Sequence, residues 1–128
     1  MVYAQLKQRL AAGEVVIMDG GTGTELQRRG ASMDPSAWCG PATLRSEHLL
    51  AELHADYIAA GSEVITTNTF ASSRLMLAPA GYGEQVEEIN RRAVEAALKA
   101  RDESARKKSV AIAGSLSHMI PMAEGTDL

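Results

Sequence analysis

The stretch that decides the fold is VIMDGGTGTEL, residues 16–26. Its apolar beginning belongs to a segment, residues 14–18, that predicts a short buried strand because apolar and β-branched residues dominate it. The strand ends at Asp19, where the two glycines that follow predict a sharp turn. Thr22 or Thr24 is then a candidate cap for a short helix.

Helical and strand patterns alternate on both sides of this stretch. Apolar residues at helical spacing predict a first helix, two longer helices and a helical turn near Leu75. The predicted helices cover residues 1–12, 46–60 and 84–107, and the other predicted strands cover residues 63–67 and 110–113. This alternation predicts an α/β fold with parallel strands, flanking helices and right-handed crossovers.

Small polar residues follow each of the three predicted strands. They are Asp19, Gly20 and Gly21 after the first strand, Thr67, Asn68 and Thr69 after the second, and residues 114–118 after the third. The carboxyl ends of parallel strands lie at one edge of a sheet, and ligands bind there in α/β folds. The sequence therefore predicts a ligand site at this edge.

Asp19 is the leading candidate in this site. Its carboxylate can pair with an ammonium group, and the backbone amides of Gly20 and Gly21 can approach an anion. One short loop could therefore bind both charged groups of an amino acid. The alternative is that Asp19 only caps the turn. A phosphate loop fits less well, because no lysine stands at the Walker position.

Each remaining candidate also has a structural alternative. Asn68 can donate and accept hydrogen bonds in a fixed plane, but it also suits a simple strand end. Trp38 suits either a lid over a ligand or an anchor for its loop. His118 is expected to be a loop residue, and His48 and His54 are expected to be surface or packing residues on their helix.

Composition narrows the class of protein. The net charge is −3 and aromatic residues make up 4 %, which gives no reason to expect a nucleic-acid partner. The single cysteine, Cys39, excludes an internal disulfide and fits a reducing compartment. No apolar run approaches the ~18 residues that a membrane span requires. We therefore expect a cytoplasmic protein without a membrane partner.

Four stretches, in order along nearly the whole chain, resemble the homocysteine S-methyltransferase family. They are residues 16–26, YIAAGSEVITTNTF at 57–70, EINRRAV at 88–94 and VAIAGS at 110–115. The family includes betaine–homocysteine and S-methylmethionine–homocysteine methyltransferases and the homocysteine module of methionine synthase. DGGTGT combined with TNTF is more specific than either motif alone.

The resemblance implies a TIM (β/α)₈ barrel, of which residues 1–128 would be an amino-terminal fragment of about three β/α units with no second domain. It also implies a zinc ion that holds homocysteine as a thiolate, which attacks a methyl donor and yields methionine. By position, the residues around homocysteine would be Asp19, Gly20, Gly21, Thr67, Asn68 and Thr69. Trp38 would lie near the methyl donor.

Zinc is where the chain departs from the resemblance. The family's zinc ligands are three cysteines from later strands, and Cys39 matches none of them. A barrel needs about 250 residues, so we expect neither bound zinc nor methyl transfer from this chain alone. Three parallel strands would leave open edges, which predicts homo-oligomers or association through those edges. Two other functions stay open: a non-catalytic α/β amino-acid-binding or interaction domain, and another TIM-barrel enzyme such as a lyase.

Overall fold

A computed structural model describes residues 2–120 of the chain. Helices and two short strands alternate along this range. In chain order they are α1 (Val2–Ala11), α2 (Thr22–Arg28), α3 (Ala42–Arg45), α4 (Glu47–Ala60), β1 (Val64–Thr66), α5 (Arg74–Leu77), a 3₁₀ turn (Gly83–Gln85), α6 (Val86–Glu103) and β2 (Ala111–Ala113). In this part of the chain, no helix is long and apolar enough to cross a membrane.

The sheet is parallel, as the alternation of patterns predicts. β1 and β2 are neighbours, with Ile65 opposite Ile112. On the other side of β1, the segment before the glycine turn joins the sheet through one parallel bridge between Met18 and Val64. The Asp19 amide donates to the Val64 carbonyl at 3.0 Å. The spatial order therefore follows the chain order, and the predicted α/β class is confirmed.

The prediction of a buried first strand over residues 14–18 is wrong. Only Met18 makes a strand-type bridge, and the side chains of Val15 and Met18 are 74 % and 59 % exposed. The physical reason is the missing second neighbour. Among residues 2–120, β1 pairs with one side of this segment and no strand pairs with the other.

The core lies where α4 packs against α6. Leu50 and Leu53 of α4 are fully buried in one cluster with Ile89 of α6. α4 ends where the sequence predicts, because Gly61 adopts the left-handed conformation with φ +116°. Its exposed histidine is His48, whereas His54 is fully buried and is therefore a packing residue.

Two helix boundaries differ from the predictions. α2 begins at Thr22 with Gly21 as its N-cap and no side-chain cap, so neither Thr22 nor Thr24 caps it. α6 ends at Glu103 rather than at residue 107. The chain turns there, and the Arg106 guanidinium donates to the carbonyl oxygens of Ile58 at 2.7 Å and Ser62 at 3.2 Å. This tertiary contact stabilises the end of α4 and explains the early end of α6.

Candidate functional site

A cleft of about 400 Å³ opens at the carboxyl end of β1. Residues from all three polar strand endings line it together with the loop before α3. The predicted site residues in its wall are Asp19, Gly20, Trp38, Thr67 and Asn68. Gly21 does not line the cleft, and Thr69 lines a neighbouring hollow with Ser72 and Asn90 instead. His118 is exposed in the loop after β2 and outside the cleft.

The Asp19 carboxylate joins the edge segment to β1. Its oxygens accept hydrogen bonds from the Thr66 amide at 2.7 Å and the Thr66 hydroxyl at 2.9 Å. Burial raises the pKa of Asp19, and the hydrogen bonds from Thr66 act in the opposite direction. Each carboxylate oxygen can accept a further hydrogen bond. Asp19 therefore has a structural role and still offers a half-buried acceptor to the cleft.

The glycine loop rests on Tyr57 of α4. The Tyr57 hydroxyl donates to the Gly21 carbonyl at 3.3 Å. A Cβ added at Gly20 would lie 2.7 Å from the same hydroxyl oxygen, so any other residue there would displace the Tyr57 ring. Within residues 2–120, no carbonyl or side chain accepts a hydrogen bond from the amides of Gly20 and Gly21. These amides are therefore available to an anion, and Tyr57 is a support that the sequence pattern presents only as an apolar helix residue.

Asn68 connects the end of β1 to the loop before α3. It is buried, and its amide nitrogen donates to the Cys39 carbonyl at 2.9 Å and the Thr43 hydroxyl at 3.1 Å. The donor side of Asn68 is therefore used by the fold. This agrees with the strand-end interpretation, while the residue still contributes to the cleft wall.

Thr67 and Thr69 connect the ends of the two strands. The Thr69 hydroxyl donates to the Ser115 carbonyl at 2.7 Å and accepts from the Ser115 amide at 3.0 Å. Its single proton is used, so the Thr67 hydroxyl donates to Thr69 across 2.9 Å. The hydrogen bonds fix the edge from which the cleft is built.

Trp38 forms a wall of the cleft and packs against the core. Its backbone has φ +47°. A Cβ added at Gly23 would lie 2.6 Å from the Trp38 indole, so the glycine makes room for the ring. Trp38 therefore anchors its loop and faces the cleft, and its role as a lid over a ligand stays a prediction.

Cys39 is next to Trp38 and is buried with a free thiol. Burial raises the pKa of this thiol to about 11, so it is neutral near pH 7. In the part of the chain that the structure describes, no three His, Cys, Asp or Glu side chains lie together as a metal-binding group. These residues do not by themselves fit the zinc site that the family resemblance implies.

The fold and the cleft define an α/β protein with a candidate site at the carboxyl edge of parallel strands. The model of the homocysteine S-methyltransferase family matches residues 16–125. The chain belongs to this family.

Curated relatives and solved structures agree with the assignment. The chain is 36 % identical to a selenocysteine methyltransferase of Astragalus bisulcatus over 71 % of its own length and 27 % of the relative's. It is 36 % identical to homocysteine S-methyltransferase 2 of Zea mays, over 72 % of its length and 27 % of the relative's. The metallated form of the homocysteine methyltransferase MmuM of Escherichia coli superposes with a TM-score of 0.72 at 29 % identity, covering 80 % of this chain and 38 % of that one. The chain thus spans less than a third of these curated relatives.

Proposed function

We propose that the chain forms the first three β/α units of a TIM-barrel homocysteine methyltransferase and binds the amino-acid end of homocysteine. The observation that carries the proposal is the cleft itself, where the Asp19 carboxylate lies beside the glycine loop. A carboxylate and unpaired amides on one short loop complement the ammonium and carboxylate groups of an amino acid. Thr67, Asn68 and Trp38 complete the wall around that end of the ligand.

The names of the relatives support a site for the amino-acid end. One relative is named for selenocysteine and another for homocysteine. These two ligands differ in their chalcogen and chain length but share the α-amino and α-carboxylate groups. A site formed by Asp19 and the glycine amides would contact only the α-amino and α-carboxylate groups that the two ligands share. Zinc, when bound by a complete family member, supplies a thiolate at neutral pH, and the described residues of this chain have no part in that step.

Exposed apolar side chains at both edges of the sheet support the partial barrel. In the segment beside β1 these are Val15, Ile17 and Met18, and after β2 Leu116 is 98 % exposed. Further barrel strands would pair with the open edge and cover these side chains. The 128 residues alone would instead associate through the same edges, and methyl transfer would require the remaining units. The free Cys39 thiol supports a reducing, cytoplasmic location.

Calorimetric titration of the chain with homocysteine tests the proposal, using the Asp19→Asn variant. Asparagine can still accept from the Thr66 amide and donate to the Thr66 hydroxyl, so it preserves the fold while removing the charge. A hydrogen bond to a charged group is worth about 2 kcal/mol, so affinity should fall about 30-fold.

Asp56→Asn is the matched control, because it removes a carboxylate charge from an exposed position on α4 outside the cleft. We expect it to bind homocysteine nearly as well as the wild type, with or without zinc. Equal affinity of the wild type and Asp19→Asn would contradict pairing between Asp19 and the ligand ammonium. No heat at millimolar homocysteine would contradict a half-site on this chain.

A further inference from the structure

The loop before α3 holds Trp38 in a backbone conformation that side chains rarely adopt. Its φ of +47° lies in the left-handed region, where the Cβ crowds the following carbonyl oxygen. Such a conformation persists only where the surrounding contacts enforce it, and it is concentrated at ligand sites. Trp38 lines the cleft described above, so the contacts that enforce its conformation also shape the cleft.

Asp34 makes these contacts. Its amide donates to the Trp38 carbonyl at 2.8 Å, and the Trp38 amide donates back to the Asp34 carbonyl at 2.9 Å. Its side-chain Oδ1 accepts from the amides of Ser36 and Ala37, both at 2.9 Å. This is an Asx turn, in which the aspartate side chain takes the place of a backbone acceptor. The turn and the paired backbone together fix the position from which the indole projects.

The second carboxylate oxygen of Asp34 faces Arg45. Its Oδ2 lies 3.9 Å from the Arg45 guanidinium at the end of α3, and the aspartate side chain is only 10 % exposed. The guanidinium stacks over the Tyr82 ring at 5.4 Å and donates to the Tyr82 hydroxyl. The Arg45 side chain is 43 % exposed, so its ion pair is a weaker support for Asp34 than the hydrogen bonds of the turn.

The indole fills a space that glycine leaves for it. The Trp38 Cζ2 atom occupies the region where a side chain at Gly23 would begin. Without the Asx turn, Trp38 would relax towards negative φ and its ring would leave this position. The cleft next to Asp19 would then lose the indole from its wall.

We propose that Asp34 is a positioning residue that holds Trp38 as a wall of the cleft and thereby sets its fit to the ligand. The ligand class is an α-amino acid with a short apolar thiol or selenol side chain, which an indole face accommodates. This second part rests on the proposed function, whereas the effect of Asp34 on Trp38 does not.

Fluorescence tests the first part directly, because Trp38 is the chain's only tryptophan. Asp34→Ala removes both side-chain acceptor bonds and should shift the emission to longer wavelength and increase quenching by iodide. Asp34→Asn retains Oδ1 and therefore the turn, but it loses the ion pair with Arg45, so its emission should shift no further than that of Arg45→Met. Ser36→Ala is the matched control, since Ser36 contributes only its backbone amide to the turn. Wild-type emission and quenching in Asp34→Ala would overturn the proposal.

Arg45→Met keeps the proposal testable if Asp34→Ala unfolds, which far-UV circular dichroism would reveal. It removes the support behind Asp34 while leaving the Asx turn intact, so it should shift the emission in the same direction by a smaller amount. An unchanged spectrum in a folded Arg45→Met variant would overturn the holding role of Arg45 and, with it, the proposed network.

Calorimetric titration with homocysteine tests the second part. Loss of one aromatic contact should weaken binding by up to about tenfold in Asp34→Ala, and Asp34→Asn, which keeps the turn, should bind more tightly than Asp34→Ala. Unchanged affinity in a variant whose Trp38 has moved would overturn the wall role. A wild type that binds no homocysteine would contradict the proposed function, while the fluorescence result would still decide the role of Asp34.

Discussion

His54 offers the sharpest test of the core. It lies in α4 with no exposed surface, and neither ring nitrogen has a hydrogen-bond partner among residues 2–120. Leaving a buried polar group unsatisfied costs about 1–3 kcal/mol. His54→Leu replaces the ring with an apolar side chain of comparable bulk, so we expect it to raise the free energy of unfolding at neutral pH.

The same residue predicts a pH dependence with a definite sign. Burial lowers the pKa of His54 from 6.5 to about 4. The unfolded chain therefore binds more protons than the folded chain between these values, and stability that is complete above pH 6.5 is lost as the pH falls towards 4. Because one pKa unit corresponds to about 1.4 kcal/mol, linkage gives a loss of about 2 kcal/mol between pH 7 and pH 5.

Urea denaturation at several pH values between 5 and 7 measures this effect. The wild type should lose stability on acidification, and His54→Leu should lose about 2 kcal/mol less over the same range. His48→Leu is the matched control, because His48 is an exposed histidine on the same helix. Equal pH slopes in the wild type and His54→Leu would refute the neutral, buried imidazole.

Two further predictions concern the glycine loop and the open sheet edge. Tyr57→Phe removes the hydrogen bond to the Gly21 carbonyl, so it should lower the free energy of unfolding by about 1 kcal/mol in urea denaturation and weaken homocysteine binding. Tyr3→Phe on the exposed face of α1 should change neither quantity. Wild-type affinity in Tyr57→Phe would exclude Tyr57 as a support of the site. Ile17→Lys places a charge on the exposed edge segment, so it should shift the mass measured by light scattering towards that of the monomer. Leu75→Lys on α5 should leave the mass unchanged. A wild type that is already monomeric would contradict association through this edge.

The longer helices and β1 could be predicted because their signals are local, whereas the short helix α3 was not predicted. The apolar face of α4 and the left-handed Gly61 stand in a continuous stretch, and each specifies its element without reference to distant residues. The segment over residues 14–18 failed for the opposite reason. Its apolar composition predicts burial, but burial needs neighbouring strands on both sides, and the described chain supplies only β1.

The site shows the same division. The type of residue at each strand ending is local information, and the structure brings Asp19, Trp38 and Asn68 to one cleft. Their hydrogen-bond partners are not local, since Thr66 binds Asp19 and the Cys39 carbonyl accepts from Asn68. Only the fold reveals that much of each polar side chain is already used, and that the glycine amides remain available.

Binding of homocysteine's amino-acid end by the glycine loop and Asp19 can be observed residue by residue. The ¹⁵N-labelled chain is titrated with homocysteine and its amide resonances are followed. We expect the Gly20 and Gly21 resonances to shift first and furthest, and Asp19→Asn to reduce these shifts greatly. Shifts confined to other parts of the chain, or undiminished glycine shifts in Asp19→Asn, would contradict this binding.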